Sequence, residues 1–300
     1  MRRFFQSSPI ETMPDAEKGR ECRLCGQSKI VVTPSGSFAK AELCAKCAIV
    51  CRLCDNVGFV FERDSSGREF ATRCECGEIK RKIDLFNAAK IPSRFYDATF
   101  DSFIATSDST QKGALAQARF LLKNYRKESW RGLLFMGGVG VGKTRLVCTM
   151  VRHYTLTHGI PCLFKDFSAL LSEIKAGYDQ GLSESHVLDR INSVDILVVD
   201  ELGKGRGSDW EINILDTIIS NRYNMRKTTI FTTNYTDSKH TTYREKTTAR
   251  SATEGVQEFV KLETLEQRVL PRIYSRLREM CDFVEIKGGD FRQPSSEIIT

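Results

Sequence analysis

The chain has 300 residues, 41% of them hydrophobic and 28% charged, and a formal net charge of +7, the profile of an ordinary globular protein. No apolar run approaches the ~20 residues that a membrane-spanning helix needs, and the opening MRRFFQSSPIETMPDAEKGRE has no apolar core of signal-peptide length. A cytoplasmic protein with reduced thiols and no membrane partner is therefore expected, and its positive charge permits a polyanionic partner without demanding one.

Residues 1–20 read as a flexible tail. The next stretch, residues 21–88, holds eight of the 11 cysteines. They form four short pairs, Cys22/Cys25, Cys44/Cys47, Cys51/Cys54 and Cys74/Cys76, separated by 18, 3 and 19 residues. Zinc takes four thiolates in a tetrahedron, and a C-x2-C turn presents two of them on one side. A second turn, returned by a hairpin of roughly 20 residues, completes the shell. No histidine lies in this region, so both shells would be all-cysteine.

Three pairings fit the spacing. The sequential one makes two consecutive zinc-ribbon-like sites and is favoured, because each half is then complete in itself. A nested pairing makes CAKCAIVCRLC a single site, and a crossed pairing gives an interleaved brace. The spacing also resembles that of LIM domains, although Cys74-x-Cys76 is tighter than in that family. An iron–sulfur cluster is disfavoured, since the central gap of three and the lack of a following proline do not fit its usual run. Two Zn2+ ions per chain are expected. Cys148, Cys162 and Cys281 stand alone in apolar surroundings and read as buried small hydrophobes.

Downstream, GEIKRKIDLF places Lys80, Arg81 and Lys82 at the start of a helix, as a solvated basic face or a contact for nucleic acid or an acidic partner. From residue 89 to about 295 the pattern is that of an α/β domain. The apolar run Leu133–Met136 leads into Gly137, Gly138, Gly140, Gly142, Lys143 and Thr144 of GGVGVGKT, a P-loop in the expected strand–loop–helix setting. Glycines there let backbone N–H groups wrap the phosphates of ATP, Lys143 reaches the β and γ oxygens, and Thr144 offers a hydroxyl to Mg2+.

The segment PCLFK (161–165) is a second strand candidate. LFKDFSALLSEIKAGYDQGL follows, with Phe167, Leu170, Leu171 and Ile174 at helical spacing as core. The apolar run Ile196–Val199 then ends in Asp200 and Glu201, on what is expected to be the strand neighbouring the P-loop. There Asp200 would share the Mg2+ shell and Glu201 would polarise the attacking water. TIFTTN (229–234) and FVEI (283–286) bring the strands to five, alternating with helices as in a parallel sheet covered on both faces.

The motifs IPSRFYDATFDSF (91–103), GGVGVGKT, VVDELG (198–203), TTNY (232–235), TLEQRVLPRIYSRLREMC (264–281) and GGDFR (288–292) occur in that order. With them the chain resembles AAA+ ATPases of the DnaC/IstB type, the helicase loaders and transposition helpers. The stretch from Cys51 to Phe95 looks like the zinc-bearing N-terminal region of many loaders, whereas the Cys22/Cys25/Cys44/Cys47 set is less usual.

The resemblance implies a five-stranded AAA+ P-loop domain behind a small all-cysteine domain. It implies Asn234 as sensor 1, placing water against the γ-phosphate, and Arg276 as an arginine finger serving a neighbouring subunit, with Arg272 a poorer candidate. Arg292 corresponds to a late arginine acting as sensor 2. In these loaders the region between the two Walker motifs carries a helix that contacts single-stranded DNA, where Lys175 and Tyr178 could supply phosphate contact and base stacking. The implied activity is ATP-dependent loading of a replicative helicase onto single-stranded DNA by self-associating subunits. A transposition helper that binds target DNA for a transposase and a zinc-based adaptor with a nucleotide switch are the alternatives. Residues 236–262 depart from the family as a long polar insertion, either flexible or a contact surface.

Overall fold

The computed structural model describes residues 10–11, 22–47, 50–51, 53–105, 109–125, 130–181, 183–237, 241–243, 259–261 and 263–292. The tail expected over 1–20 lies outside them except for Ile10 and Glu11. Two compact units result: Met1–Ser102 with Cys148–Leu163, and Phe103–Val147 with Phe164–Thr300.

The first unit is built from small antiparallel pairs. Strand β1 (Ile10–Glu11) pairs with β4 (Val50–Cys51), β2 (Ile30–Ser35) with β3 (Phe38–Leu43), and β5 (Phe59–Arg63) with β6 (Glu69–Arg73). Gly36, at a φ of 57°, turns the two-residue β2–β3 connection, as tight hairpins require. The β5–β6 connection is shaped by Asp64, whose Oδ1 accepts from the backbone N–H of Ser66 at 2.8 Å and of Arg68 at 3.0 Å. Helix α1 (Glu75–Ala89) follows and ends at Lys90 in the left-handed region, and a short 3-10 turn covers Ser93–Phe95. Asn87 clasps β3 to α1 by accepting from Ala41 N at 2.8 Å and donating to Ala41 O at 3.0 Å.

Lys80, Arg81 and Lys82 do not start a helix: α1 begins at Glu75 and they lie in its middle. The reason is that Cys74 occupies the N-cap position and Glu75 and Glu78 fill the first turn, where negative charge suits the helix dipole. The basic face is also partly engaged. Arg81 pairs with Glu78 at 2.6 Å and donates to Gly159 O at 2.9 Å, and Lys82 donates to Thr157 O at 2.9 Å.

The second unit contains α2 (Ser109–Asn124), β7 (Gly132–Met136), the start of α3 (Lys143–Leu156), the end of β8 (Cys162–Asp166), α4 (Phe167–Asp179), α5 (Glu184–Ser193), β9 (Ile196–Asp200) and α6 (Asp209–Asn224). It continues with β10 (Thr228–Thr233), β11 (Thr241–Tyr243), β12 (Phe259–Lys261), α7 (Leu265–Val269), α8 (Pro271–Met280) and β13 (Cys281–Glu285). The five-stranded sheet has the order β13-β7-β10-β9-β8. Every residue of β7, β9 and β10 is buried, as in a parallel sheet covered on both faces.

This order corrects one expectation. The strand ending in Asp200 is not the neighbour of the P-loop strand, because β10 pairs in parallel with both β7 and β9 and lies between them. The polar end of β10 is thereby inserted between the P-loop and the acidic pair.

Buried Arg222 fixes the far edge of this arrangement. It is 0% exposed, and its guanidinium donates to Thr229 Oγ1 at 2.8 Å and to the carbonyls of Ile191 at 2.9 Å, Val194 at 3.0 Å and Thr228 at 2.6 Å. Longer bonds reach Asn192 O and Asp195 O. A single side chain thus joins α6, the end of α5 and the entries to β9 and β10.

The 236–262 insertion is not wholly a loop. Its described residues include an antiparallel pair, β11 with β12, and its base is closed by a Thr236–Thr264 bridge and the Leu265 N to Thr236 O bond of 2.9 Å. The remainder of the insertion lies outside the described residues.

Candidate nucleotide and metal sites

The eight clustered cysteines fall into two groups, Cys22/Cys25/Cys44/Cys47 and Cys51/Cys54/Cys74/Cys76, with all ligand atoms of a group within 4.8 Å of one another. Hairpin β2–β3 fills the gap in the first group and β5–β6 the gap in the second, which is the sequential arrangement. Sulfur separations are 4.0 Å for Cys22–Cys44, 3.6 Å for Cys25–Cys47, 3.6 Å for Cys51–Cys74 and 3.1 Å for Cys54–Cys76. A tetrahedral Zn2+ with Zn–S bonds of ~2.3 Å sets its sulfurs about 3.8 Å apart, so both groups fit that ion.

All 11 cysteines are free thiols. The hydrogen bond from Cys47 is the main reason Cys22 is lowered to about 6. Burial opposes ionisation of Cys54, but hydrogen bonds led by that of Cys76 bring it down to about 7. Burial raises Cys25, Cys74 and Cys76, while Cys47 is raised chiefly by its bond to Cys22. Gathering four thiolates in one group requires a cation among them.

The P-loop leaves β7 through Gly137, at a φ of 150°, where a Cβ would come within 2.1 Å of Ile286 O. Gly140, at a φ of 79°, faces the GGDFR turn so closely that a Cβ would meet Asp290 Oδ1 at 1.8 Å. Below the loop, Gly142 packs on the ring of Phe103, the last residue of IPSRFYDATFDSF. These contacts leave the loop's backbone lining a cradle that only glycine allows.

Lys143 opens α3 and is 8% exposed. Its ammonium donates to Gly137 O at 2.8 Å, Gly138 O at 2.7 Å and Asn234 Oδ1 at 2.8 Å. Burial lowers its pKa to about 8. Thr144 Oγ1 donates to Asp200, 3.1 Å from each carboxylate oxygen, and Thr232 Oγ1 donates to Asp200 Oδ1 at 2.5 Å. Burial raises the Asp200 carboxyl. A hydroxyl beside a buried carboxylate is a donor set suited to a hard divalent cation such as Mg2+, whose charge would reverse that shift.

Glu201 follows at a φ of 58°, its N–H donating to Thr232 Oγ1 at 2.9 Å and its carboxylate paired with Lys204. Burial resists its ionisation, but the Lys204 hydrogen bond and charge prevail and lower its pKa. The charge of Arg292 acts on both Lys143 and Glu201.

The fold thus gathers Lys143, Thr144, Asp200, Glu201, Asn234 and Arg292 around one loop. Arg276 is placed elsewhere. It lies on α8 and donates to Asp216 Oδ1 at 3.1 Å, while Arg272 donates to Asp216 Oδ2 at 3.1 Å.

Lys175 and Tyr178 lie exposed on α4 beside Trp210. The Lys175 ammonium is 4.6 Å from the indole centroid, and the Tyr178 ring packs edge-on at 6.5 Å. Sequence inspection missed Thr232, Asp290, Lys204 and Trp210. Thr232 and Asp290 stand inside motifs already singled out, TTNY and GGDFR, and Lys204 directly follows VVDELG, but their contacts depend on strand order and loop path. Trp210 carries no local signal.

A P-loop strand separated from an acidic strand by one ending at a polar residue, with five parallel strands, defines a P-loop nucleotide-binding domain of the AAA+ class. Within that class the chain belongs to the IstB-like ATP binding protein family, whose model matches residues 69–253.

The uncharacterized protein YqaM of Bacillus subtilis (strain 168) is 24% identical over 163 residues, 51% of this chain and 51% of that one. The replicative helicase loader DnaC of Buchnera aphidicola subsp. Acyrthosiphon pisum is 26% identical over 137 residues, 45% of this chain and 54% of its own. The chain spans about half the length of these curated relatives. A crystal structure of the DnaC helicase loader superposes with a TM-score of 0.52 and 29% identity, covering 65% of this chain and 99% of that one. Among the described residues no helix is long and apolar enough to cross a membrane.

Proposed function

We propose that this chain hydrolyses ATP at a site completed between subunits and uses the cycle to load a replicative helicase onto single-stranded DNA. The observation that carries this is the grouping of Lys143, Thr144, Asp200, Glu201 and Asn234 around one glycine loop in a chain with DnaC-type relatives. The glycine backbone and Lys143 would bind the triphosphate, with Lys143 leaving the carbonyls of Gly137 and Gly138 for phosphate oxygens. Thr144 and Asp200 would hold Mg2+, which when bound neutralises phosphate charge. Glu201 would take the proton of the attacking water, and Asn234 would orient that water.

Arg276 bonds α6 rather than its own P-loop, which suits a cation offered to a neighbouring subunit, and Arg292 would sense the γ-phosphate from the turn over Gly140. Residues 21–88 would form the docking module, with two Zn2+ held by the two cysteine groups, and 89–295 the ATPase domain.

Two measurements test this. Lys143→Ala and Glu201→Gln should each lose ATP turnover while remaining folded; normal turnover in both would refute the site assignment. Affinity capture with and without ATP should recover a hexameric helicase. The IstB-like family description favours one second reading, a transposition helper, and capture of a transposase in place of a helicase would select it.

A further inference from the structure

One carboxylate ties α6 to α8. Asp216 of α6 accepts from Arg276 Nη1 through Oδ1 and from Arg272 Nε through Oδ2, each at 3.1 Å. The two arginines are four residues apart on α8 and so share one face of it. That helix opens with Pro271 in its first turn, and the burial of Ile273, Leu277 and Met280 sets its rotation. One turn along α6, Ser220 Oγ donates to Asp216 Oδ1 at 3.4 Å. Tyr223 OH donates to Glu279 Oε2 at 2.9 Å and joins the same two helices again. The carboxylate is therefore fixed from its own helix and the arginines from theirs.

Charge and exposure say what this cluster can do. A single carboxylate stands against two guanidiniums, so positive charge is left over. The side chains of Arg272 and Arg276 are 57% and 36% exposed, and that of Asp216 is 24% exposed. The anion is thus the more covered partner and the cations face outward. A guanidinium carries several N–H donors in a planar fork. Asp216 engages Arg276 through Nη1, and its carboxylate does not use the donors on Nη2. A free arginine gives up rotamer freedom when it meets a ligand. One already held in place meets it with that cost met beforehand.

We infer that Asp216 is the positioning residue for Arg276. It holds one nitrogen of the guanidinium and leaves the rest of the fork for the γ-phosphate of ATP bound by a neighbouring subunit. Arg272 shares the carboxylate and so preserves the positive charge of Arg276. This inference rests on the proposed role of Arg276 and names the group that aims it.

The test mixes full-length chains and follows ATP turnover. An Arg276→Ala chain keeps its nucleotide site but has no finger to give, and a Glu201→Gln chain keeps the finger without turnover of its own. Titrating the second into the first should restore turnover to a plateau. Adding Asp216→Asn to the Glu201→Gln chain should lower that plateau about tenfold, the scale of a misaimed group at a reacting centre. Adding Asp216→Asn to the Arg276→Ala chain instead should change nothing, whereas a merely structural role would cost activity in either chain. An equal or higher plateau with the altered donor, or the same loss from both placements, overturns the positioning role while leaving the finger in place. If Glu201→Gln chains restore nothing, or Arg276→Ala alone turns over like the parent chain, the finger role falls and the positioning role with it.

Discussion

The ammonium of Lys143 and the side-chain oxygen of Asn234 lie 2.8 Å apart, joining the first residue of α3 to the residue after β10. Because β10 runs between β7 and β9, this contact places the end of β10 against the P-loop itself. Asn234→Ala removes an acceptor of Lys143 and the group proposed to orient water. Turnover should fall about a hundredfold, comparable to loss of one well-placed polar group at a reacting centre, with nucleotide still bound. Single-turnover kinetics beside equilibrium nucleotide binding would show the split, and equal losses in both would refute it.

Gly140 and Asp290 are in close contact, so Gly140→Ala should displace the GGDFR turn and weaken nucleotide binding. Two costs are involved, the positive φ at about 1–3 kcal/mol and the overlap with Asp290. Adding Asp290→Gly removes the carboxylate overlap but leaves the Cα of residue 290 2.8 Å from the new Cβ, so it relieves the second cost only in part. Partial recovery of affinity in the double variant is expected; recovery to the parent value would mean the backbone cost is absent.

The cysteine groups predict two zinc ions per purified chain. Cys22→Ser should remove one and Cys51→Ser the other, each leaving the remaining group loaded, as metal analysis of the two variants would show. Cys22→Ser combined with Cys44→Ser should still leave one ion bound, whereas a nested or crossed ligand set would lose both. Strong chelators should unfold the β2–β3 and β5–β6 hairpins, since small metal-bound modules owe much of their stability to the ion.

Arg222→Met should be among the most destabilising single changes in the chain. It removes a buried cation together with its donors to five backbone carbonyls and a threonine hydroxyl, and unpaired buried polar groups cost about 1–3 kcal/mol each. A loss of at least about 3 kcal/mol in urea unfolding is expected. A change below about 1 kcal/mol would mean that water or repacking satisfies those carbonyls.

Much of this molecule is legible in its sequence where chemistry imposes spacing. The P-loop, the acidic end of β9 and the four cysteine pairs are local patterns, because a phosphate or a metal ion needs its ligands a few residues apart. Phe167, Leu170, Leu171 and Ile174 are buried as their periodicity predicts. What escaped depends on tertiary path. Strand order is not written in any strand, so Ile196–Asp200 was expected beside β7. The start of α1 is not legible in the sequence because a cysteine at the N-cap position looks like any other member of a C-x-C pair. Lys204 and Trp210 have meaning only through Glu201, Lys175 and Tyr178, which reach them in space.

The junction between the cysteine groups has a consequence for how the chain is made. Each group closes on residues no more than about two dozen positions apart, and neither waits for the other or crosses it. During synthesis, Cys47 completes the first set before Cys51 has been added, and Cys76 completes the second before the P-loop exists. Contacts so local form early and quickly. With metal held as proposed, its supply would decide the fate of a nascent chain before any nucleotide site has been translated.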